Sequence, residues 1–259
     1  MTVEPFKIKI NDSSLTHRFT PWDADTLKKT VNEITQVTID NELDLQAVLG
    51  EYEEFCVKHS VDVSIVRASY HSRSLRKALV NNNFELAEIS HRIVKNLYME
   101  EFLPFEKDGF IVSQSPPDKE ELKSLASRIF SHGRFSEDLK VSPDRAHARY
   151  GNWVQDLLND NNVSSLFLYK EKKLIGFMFY STIEVTASLL LGGMDPSFSH
   201  LAAKFWSHVF HVLKEGDIFY VNTVISAANV GVINLYSFFN FSFKECLMGY
   251  HKHYQNEES

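Results

Sequence analysis

A tyrosine, two asparagines and a phenylalanine near the C-terminal end stand at a spacing that could do chemistry. In the stretch ANVGVINLYSFFNF, Asn229 begins a short helical pattern, Tyr236 comes seven residues later, and Asn240 and Phe241 follow. A phenol with an ordinary pKa near 10 stays protonated at neutral pH, so Tyr236 could act as a general acid. The structural alternative makes Asn229 a helix N-cap, Tyr236 a core aromatic residue and Asn240 the residue of a left-handed turn.

The elements that position this stretch follow residue 117. Apolar residues at helical spacing or in alternation mark each of them. They are helices at 119–130 and 143–158, strands at 164–169, 174–182 and 188–194, a helix at 199–213, a strand at 218–225, the short final helix, and a strand pair at 243–254. This order predicts an α/β (α+β) domain with a mixed central sheet and helices on both faces.

The polar stretch SQSPPD at 113–118 looks like a linker, and it predicts two domains, 1–112 and 117–254. The first half shows strand patterns at 31–39, 61–66 and 84–97 and helical patterns at 43–59 and 72–80. The run SRSLRKALVNNNFELAE, residues 72–88, has the same shape as the final helix and its turn: a short helix, then Asn-Phe opening a strand. We therefore expect a truncated copy of the second domain ahead of the complete one.

Composition narrows the class of protein. The chain has 259 residues, a net charge of −7, 44% hydrophobic residues and two cysteines. The acidic balance argues against a general nucleic-acid binder, and two cysteines do not make a disulfide framework. No signal-peptide core and no run of 18 apolar residues is present. We expect a cytoplasmic protein whose partners are neither nucleic acids nor membranes, and a homodimer is left open.

The element order and the ending together resemble the GCN5-related N-acetyltransferase (GNAT) superfamily over residues 117–254. The final helix of that family typically reads Asn, Tyr seven residues later, then Gly-Phe, and here Asn240 replaces the glycine. The resemblance implies a GNAT fold, acetyl-CoA as co-substrate, no metal, and direct acetyl transfer to a primary amine of a small-molecule partner. It also implies that Tyr236 protonates the departing thiolate and that Asn229 bonds the pantetheine arm.

The rest of the cofactor site also comes from the resemblance. In the family, free amides at the end of the preceding strand hold the acetyl carbonyl and the pantetheine arm, and a glycine-rich loop holds the pyrophosphate. The first role falls on Gly192, Gly193 and Met194, whose glycines are expected to allow a bulge and a close ligand approach. The second falls on a run without glycine: Ser199, His200, Leu201, Ala202, Ala203 and Lys204. Lys204 would add a positive charge near the phosphates.

The half-copy in front is similar to that of the dTDP-fucosamine acetyltransferase type, which acetylates a sugar-nucleotide amine. In that type a glutamate shortly after the first-copy turn acts as base through water, and NFELAE places Glu88 in the role. The run Arg134-Phe135-Ser136 is a second similarity, to a segment beside the acceptor pocket. A solvated strand carboxylate is the alternative for Glu88.

Several functional alternatives stay open. The donor could be an acyl carrier protein, and the acceptor could be an amino acid or an antibiotic-like amine. A different class of function is also open: the chain could be a tandem GNAT-fold protein that binds a ligand or partner without catalysis. The histidines His208 and His211, three apart on a helix, and His251 and His253, alternating on a strand, have no Cys or acidic partner at ligand spacing, so no metal site is predicted.

Overall fold

The structure is a computed structural model that describes residues 3–254, and these residues divide into two compact units. Unit 1 comprises the described residues of Met1–Ser90, Gly133–Arg145 and Glu245–Ser259, and unit 2 comprises His91–His132 and Ala146–Lys244. The predicted division into 1–112 and 117–254 differs from this, because the chain returns to unit 1 twice after leaving it. No helix in the described part of the chain is long and apolar enough to span a membrane.

Secondary structure follows most of the predicted pattern. The strands are β1 (Phe6–Ile10), β2 (Ser13–Phe19), β3 (Val31–Thr38), β4 (Val63–Ser69), β5 (Glu85–Asn96), β6 (Phe110–Ser113), β7 (Val163–Lys170), β8 (Lys173–Ile183), β9 (Thr186–Met194), β10 (Tyr220–Ser226) and β11 (Ser242–His253). The helices are α1 (Pro21–Leu27), α2 (Glu42–Lys58), α3 (Arg73–Asn81), α4 (Lys119–Ile129), α5 (Pro143–Leu158), a 3-10 helix (Pro196–Leu201), α6 (Ala202–Glu215) and α7 (Val230–Phe238). The expected strand pair at 243–254 is wrong, because this stretch is the single strand β11.

The sheet of unit 1 has the order β1-β2-β3-β4-β11, followed by the first half of β5. β3 and β4 run parallel, while β11 runs antiparallel to β4 from Leu247 opposite Ser69 to His253 opposite Val63. The apolar sides of α2 and α3 cover this sheet with residues such as Leu45, Val48 and Leu79. β11 therefore completes a sheet whose other strands lie more than 150 residues earlier.

The sheet of unit 2 begins with the second half of β5 and continues β10-β9-β8-β7-β6. Alternation along β8 sends Phe177 and Phe179 into a core with α4 and α5, and sends Met178 and Tyr180 into a core with α6 and α7. The expectation of a mixed sheet with helices on both faces is confirmed for this unit, since β9 and β10 run parallel, whereas β6, β7, β8 and β9 pair antiparallel in succession.

The two helix-turn-strand runs have the same local geometry. After α3, Asn83 takes a left-handed conformation (φ 62°) and the Phe84 amide bonds the Leu79 carbonyl. After α7, Asn240 does the same (φ 55°) and the Phe241 amide bonds the Tyr236 carbonyl. The repeat predicted from sequence is confirmed, and Leu79 occupies in the first copy the position that Tyr236 holds in the second.

Candidate active site

The candidate site in unit 2 begins where β9 and β10 stop pairing. The parallel pairing joins Thr186–Ser188 to Tyr220–Asn222 and ends there. The Thr223 hydroxyl then donates to the Leu189 carbonyl at 3.0 Å, and a bulge against β8 follows at Leu190. A bulge kinks a strand and ends its regular pairing. The last part of β9 therefore has one edge that β10 does not cover.

The direction of the amides on this edge follows from the ladder with β8. The Asp195 amide donates to the Ile175 carbonyl of β8 at 2.7 Å. Hydrogen-bonding direction alternates along an antiparallel strand, so the amides of Gly192 and Met194 point away from β8. These two N–H groups lie along the uncovered edge, and they are suited to bind the carbonyl groups of an extended ligand.

The two glycines allow close packing on the two faces of β9. A Cβ atom at Gly192 would lie 2.4 Å from Met178 Cε and 3.3 Å from Trp206 Cζ2, and one at Gly193 would lie 2.4 Å from Ile129 Cδ1. The bulge expected at these glycines lies at Leu190 instead. The glycines are therefore explained by side chains of β8, α4 and α6 that press against the strand.

Tyr236 lies inside unit 2, with 4% of its surface exposed and its ring edge-on to Phe241. Its hydroxyl accepts a hydrogen bond from Trp206 Nε1 at 3.1 Å, and Trp206 is the side chain that reaches Gly192. Burial raises the pKa of Tyr236 to about 12, although the Trp206 hydrogen bond acts in the opposite direction. The phenol keeps its proton at neutral pH, which is the state that a general acid needs.

Asn229 caps the helix that carries Tyr236. Its Oδ1 atom accepts a hydrogen bond from the Val232 amide at 3.1 Å, and the Ile233 amide donates to its carbonyl. The structural alternative named for Asn229 is therefore present in the structure. The side-chain NH2 group is what the residue has left for contact with a ligand.

The run proposed to hold the pyrophosphate is wound into helix. Ser199, His200 and Leu201 end the 3-10 helix, while Ala202, Ala203 and Lys204 begin α6. The Ala202 amide is already bonded to the Ser199 carbonyl, and no residue from 195 to 204 has a positive φ. Because glycine is absent, the backbone does not open into an anion-binding loop. His200 and Lys204 are exposed and remain as side chains that could meet a phosphate.

A carboxylate occupies the amino end of this 3-10 helix. The Asp195 side chain accepts a hydrogen bond from the Ser197 amide at 3.0 Å and forms an ion pair with Arg128 at 3.1 Å. Burial would raise the pKa of Asp195, but the Ser197 bonds and the charges of Arg128 and Lys173 lower it overall. The uncovered edge of β9 in unit 2 thus fits the thioester arm of a cofactor. A pyrophosphate would contact polar side chains there, and not a loop of free backbone amides.

Glu88 lies on the part of β5 that belongs to unit 1, and its side chain is only 3% exposed. The Arg67 guanidinium donates to Oε2 through Nε at 3.2 Å and Nη2 at 2.9 Å. A Cβ atom at Gly249 of β11 would lie 3.3 Å from Glu88 Oε2, so the glycine makes room for the carboxylate. The alternative of a solvated strand carboxylate is wrong, since Glu88 is a buried, ion-paired group. Whether it acts as a base remains a prediction.

The 133–145 segment, which follows α4, joins unit 1 through a buried arginine. Arg134 donates to Glu33 Oε1 at 2.9 Å and to Asp23 Oδ2 at 3.2 Å, and Arg18 also binds Glu33. These two carboxylates outweigh the desolvation of the guanidinium and raise the pKa of Arg134. The segment that resembles a neighbour of an acceptor pocket is thus fixed by charge to β3 and α1.

The sequence did not identify the partners of these side chains. Trp206, Arg67 and Arg128 lie 30, 21 and 67 residues away from Tyr236, Glu88 and Asp195, and no spacing rule relates the members of these pairs. The helical pair His208 and His211 also proves structural in part, because His208 Nδ1 accepts a hydrogen bond from the Phe105 amide at 2.9 Å. Burial, and after it the neighbouring His211, lower the pKa of His208.

Comparison with known proteins places the fold. No family model matches the chain, and no curated protein matches it. Solved structures do. A GCN5-related N-acetyltransferase from Sphaerobacter thermophilus has a TM-score of 0.67 at 11% identity, over 92% of this chain and 76% of that one. A tandem GNAT protein from the clavulanic acid biosynthesis pathway has a TM-score of 0.63 at 10% identity, over 95% and 80%.

A third similar structure is a GCN5-related N-acetyltransferase from Kribbella flavida, with a TM-score of 0.63 at 7% identity, over 96% of this chain and 90% of that one. At such identities the likeness shows the fold and not the substrate. The fold is the GNAT fold, and the tandem neighbour agrees with a chain built from two related halves.

Proposed function

We propose that the chain is an N-acyltransferase that takes an acetyl group from acetyl-CoA and transfers it directly to a primary amine of a small molecule. The observation that carries the proposal is the uncovered edge of β9. There the strand has left β10, has bulged at Leu190, and directs the amides of Gly192 and Met194 to one side. Fixed N–H groups aimed at a developing oxyanion lower the barrier to acyl transfer, since they need no reorganisation during the reaction.

The donor would supply an activated acetyl group as a thioester, and the chain would supply its position. Gly192 and Met194 would donate hydrogen bonds to the acyl and pantetheine oxygens, with Gly193 leaving the strand flat against α4. Lys204 and His200 would face the phosphates, and the side-chain NH2 of Asn229 would contact the arm. Holding amine and thioester together accounts for much of the rate in direct transfer.

Tyr236 would protonate the departing sulfur. Transfer from the buried phenol, whose pKa is about 12, to a thiolate that keeps the aqueous pKa of about 8.5 is uphill by roughly 5 kcal/mol. Burial raises the pKa of a thiol as well, which narrows this difference inside the protein. We therefore propose that the Tyr236 hydroxyl first donates a strong hydrogen bond to the sulfur as negative charge develops there. The proton is then transferred to the sulfur.

The acceptor we propose is a primary amine on a nucleotide-linked amino sugar, with Glu88 as the base that removes the ammonium proton through water. The run NFELAE and the 133–145 segment support this narrower assignment. Arg67 binds Oε2 of Glu88, so Oε1 is the oxygen available for a water molecule. Leu79, which replaces the tyrosine in the first copy, has no proton to donate. We therefore propose one site for the acetyl donor per chain.

Ligand binding and thiol release test the proposal together. At 100 times its Kd, coenzyme A should stabilise the protein by about 2.7 kcal/mol, which at this chain length corresponds to a rise in Tm of roughly 5–10 °C. Pantetheine, which lacks the nucleotide, should retain most of this effect if the arm along β9 dominates binding. A panel of amines with acetyl-CoA should then reveal an acceptor by release of free thiol. Absence of both stabilisation and thiol release at millimolar ligand would refute the proposal.

A donor carried by an acyl carrier protein is the second candidate. The helical run from Pro196 to Lys204 favours it, because such a donor presents a pantetheine arm without the adenosine diphosphate part. Stabilisation by pantetheine but not by coenzyme A, with thiol release only from an acylated carrier protein, would select this candidate.

A further inference from the structure

Three potential metal ligands converge in unit 1. Asp138 belongs to the 133–145 segment, and His251 and His253 lie on β11. Asp138 Oδ2 is 2.6 Å from His251 Nδ1 and 2.7 Å from His253 Nε2, and the three atoms all lie within 4.8 Å of one another. The alternation of strand side chains puts the two histidines on one face of β11. The acidic partner that the sequence did not reveal comes from more than 110 residues earlier.

The carboxylate is held in position and is buried. The Lys140 amide donates to Asp138 Oδ1 at 2.8 Å, which fixes the carboxylate with Oδ2 towards the imidazoles. Asp138 is 7% exposed and His251 is 2% exposed. The His253 side chain is only 10% exposed, so all three groups of the cluster are withdrawn from water.

The nearby cation Arg134, whose charge acts on His251, is itself bound to Asp23 and Glu33. Among the described residues, the ion-pair contacts of Asp138 are with the two imidazoles, which carry a charge only when protonated. A buried carboxylate needs a compensating positive charge. A cation seated between its oxygen and the imidazoles would provide that charge.

We propose that Asp138, His251 and His253 form a binding site for one divalent transition-metal ion of the zinc class. Two imidazoles and one carboxylate are a donor set that suits zinc and its neighbours, and not calcium or magnesium. Metal bonds of about 2.0–2.2 Å in tetrahedral geometry separate ligand atoms by roughly 3.3 Å. The imidazoles would therefore retreat from Oδ2 by about 0.6–0.7 Å. Three protein ligands leave one coordination position of the metal for water or a substrate oxygen. This metal site is independent of the proposed acetyl transfer.

Metal uptake by full-length, tag-free protein tests this site without any activity measurement. After removal of metal with a chelator, wild type should bind one Zn²⁺ per chain by calorimetry, and Co²⁺ should give the visible absorption of a low-coordinate site. Asp138→Asn and His253→Gln should each weaken Zn²⁺ binding by about 100-fold or more. His211→Ala, which removes a histidine of unit 2, should bind as wild type does.

Folding must be monitored in the same variants. Asp138→Asn keeps the size of the side chain and can still accept hydrogen bonds from both imidazoles, and circular dichroism should show native secondary structure. Zn²⁺ should raise the Tm of wild type and of His211→Ala, and leave that of the two ligand variants unchanged. Wild type without stoichiometric Zn²⁺ binding at micromolar concentrations would overturn the proposal. So would equal affinity in wild type and both ligand variants.

Discussion

Replacing Tyr236 by phenylalanine separates a core aromatic residue from a general acid. The change removes one hydroxyl and keeps the ring that packs edge-on against Phe241. It also leaves Trp206 Nε1, now bonded to that hydroxyl at 3.1 Å, without an acceptor in a buried site. An unsatisfied buried donor costs about 1–3 kcal/mol, so the Tm should fall by roughly 2–12 °C.

The alkaline limb of stability provides a second readout of the same hydroxyl. The pKa of Tyr236 is raised to about 12 in the folded protein, against about 10 in an unfolded chain. A group that holds its proton more tightly when folded contributes stability that is complete below pH 10 and is lost as the pH rises through 12. A difference of two pKa units corresponds to about 3 kcal/mol in the free energy of unfolding. Tyr236→Phe should lack this loss between pH 10 and 12 in denaturant titrations.

The kinetic consequence is the decisive one. If Tyr236 donates the proton, the chemical step of Tyr236→Phe should slow by roughly 10²-fold or more while acetyl-CoA affinity stays nearly unchanged. Single-turnover thiol release and calorimetry measure the two quantities. Tyr220→Phe makes the same chemical change at an exposed position of β10 and should keep full rate. Full turnover by Tyr236→Phe would refute the reasoning, because the thiolate would then leave without help from this phenol.

Three further substitutions test the other residues to which the proposed function gives a role. Lys204→Glu should weaken acetyl-CoA binding roughly tenfold, whereas its control Lys172→Glu, in the exposed β7–β8 turn, should not. Equal affinities of wild type and Lys204→Glu would show that Lys204 does not contact the cofactor. Glu88→Gln should slow transfer by about 10²-fold and cost about 1–2 kcal/mol, since Arg67 is 38% exposed and water can replace part of the lost partner. Glu85→Gln, on the same strand but exposed, is its control, and an unchanged rate in Glu88→Gln would exclude Glu88 as the base. Gly192→Ala should cost about 1–3 kcal/mol in urea unfolding, because its Cβ would lie 2.4 Å from Met178 Cε; an unchanged midpoint would mean that Met178 moves aside freely.

Features that depend on neighbouring residues could be predicted from the sequence. The final helix, its N-cap Asn229 and the left-handed Asn240 follow from propensities within about ten residues, and the structure has all three. The predicted elements do not include the hairpin β1–β2, although FKIKI and SSLTHRF alternate and Asn11 between them takes a left-handed conformation. That signal was obscured by the many polar residues of a strand pair that is half exposed.

Pairings between distant segments could not be read from the sequence. The residues of β11 do not indicate that β4 is its partner, so the division at 113–118 does not take into account the return of the chain to unit 1. The sequence does not indicate the carboxylate beside His251 and His253 either, because metal-ligand spacing rules apply to ligands that are near in sequence. The bulge at Leu190 depends on register with β8, which a single strand does not reveal.

The late arrival of β11 has a consequence for biosynthesis. Unit 1 is continuous to Ser90, but the strand that pairs with Val63–Ser69 begins its share of the unit at Glu245. At 5–20 residues per second, a ribosome needs roughly 8–31 s to make the residues between these points. During that interval the edge of β4 is unpaired, and open strand edges recruit other chains. A nascent chain stalled before residue 245 should therefore be a client of ribosome-associated chaperones, and release should follow synthesis of the last strand.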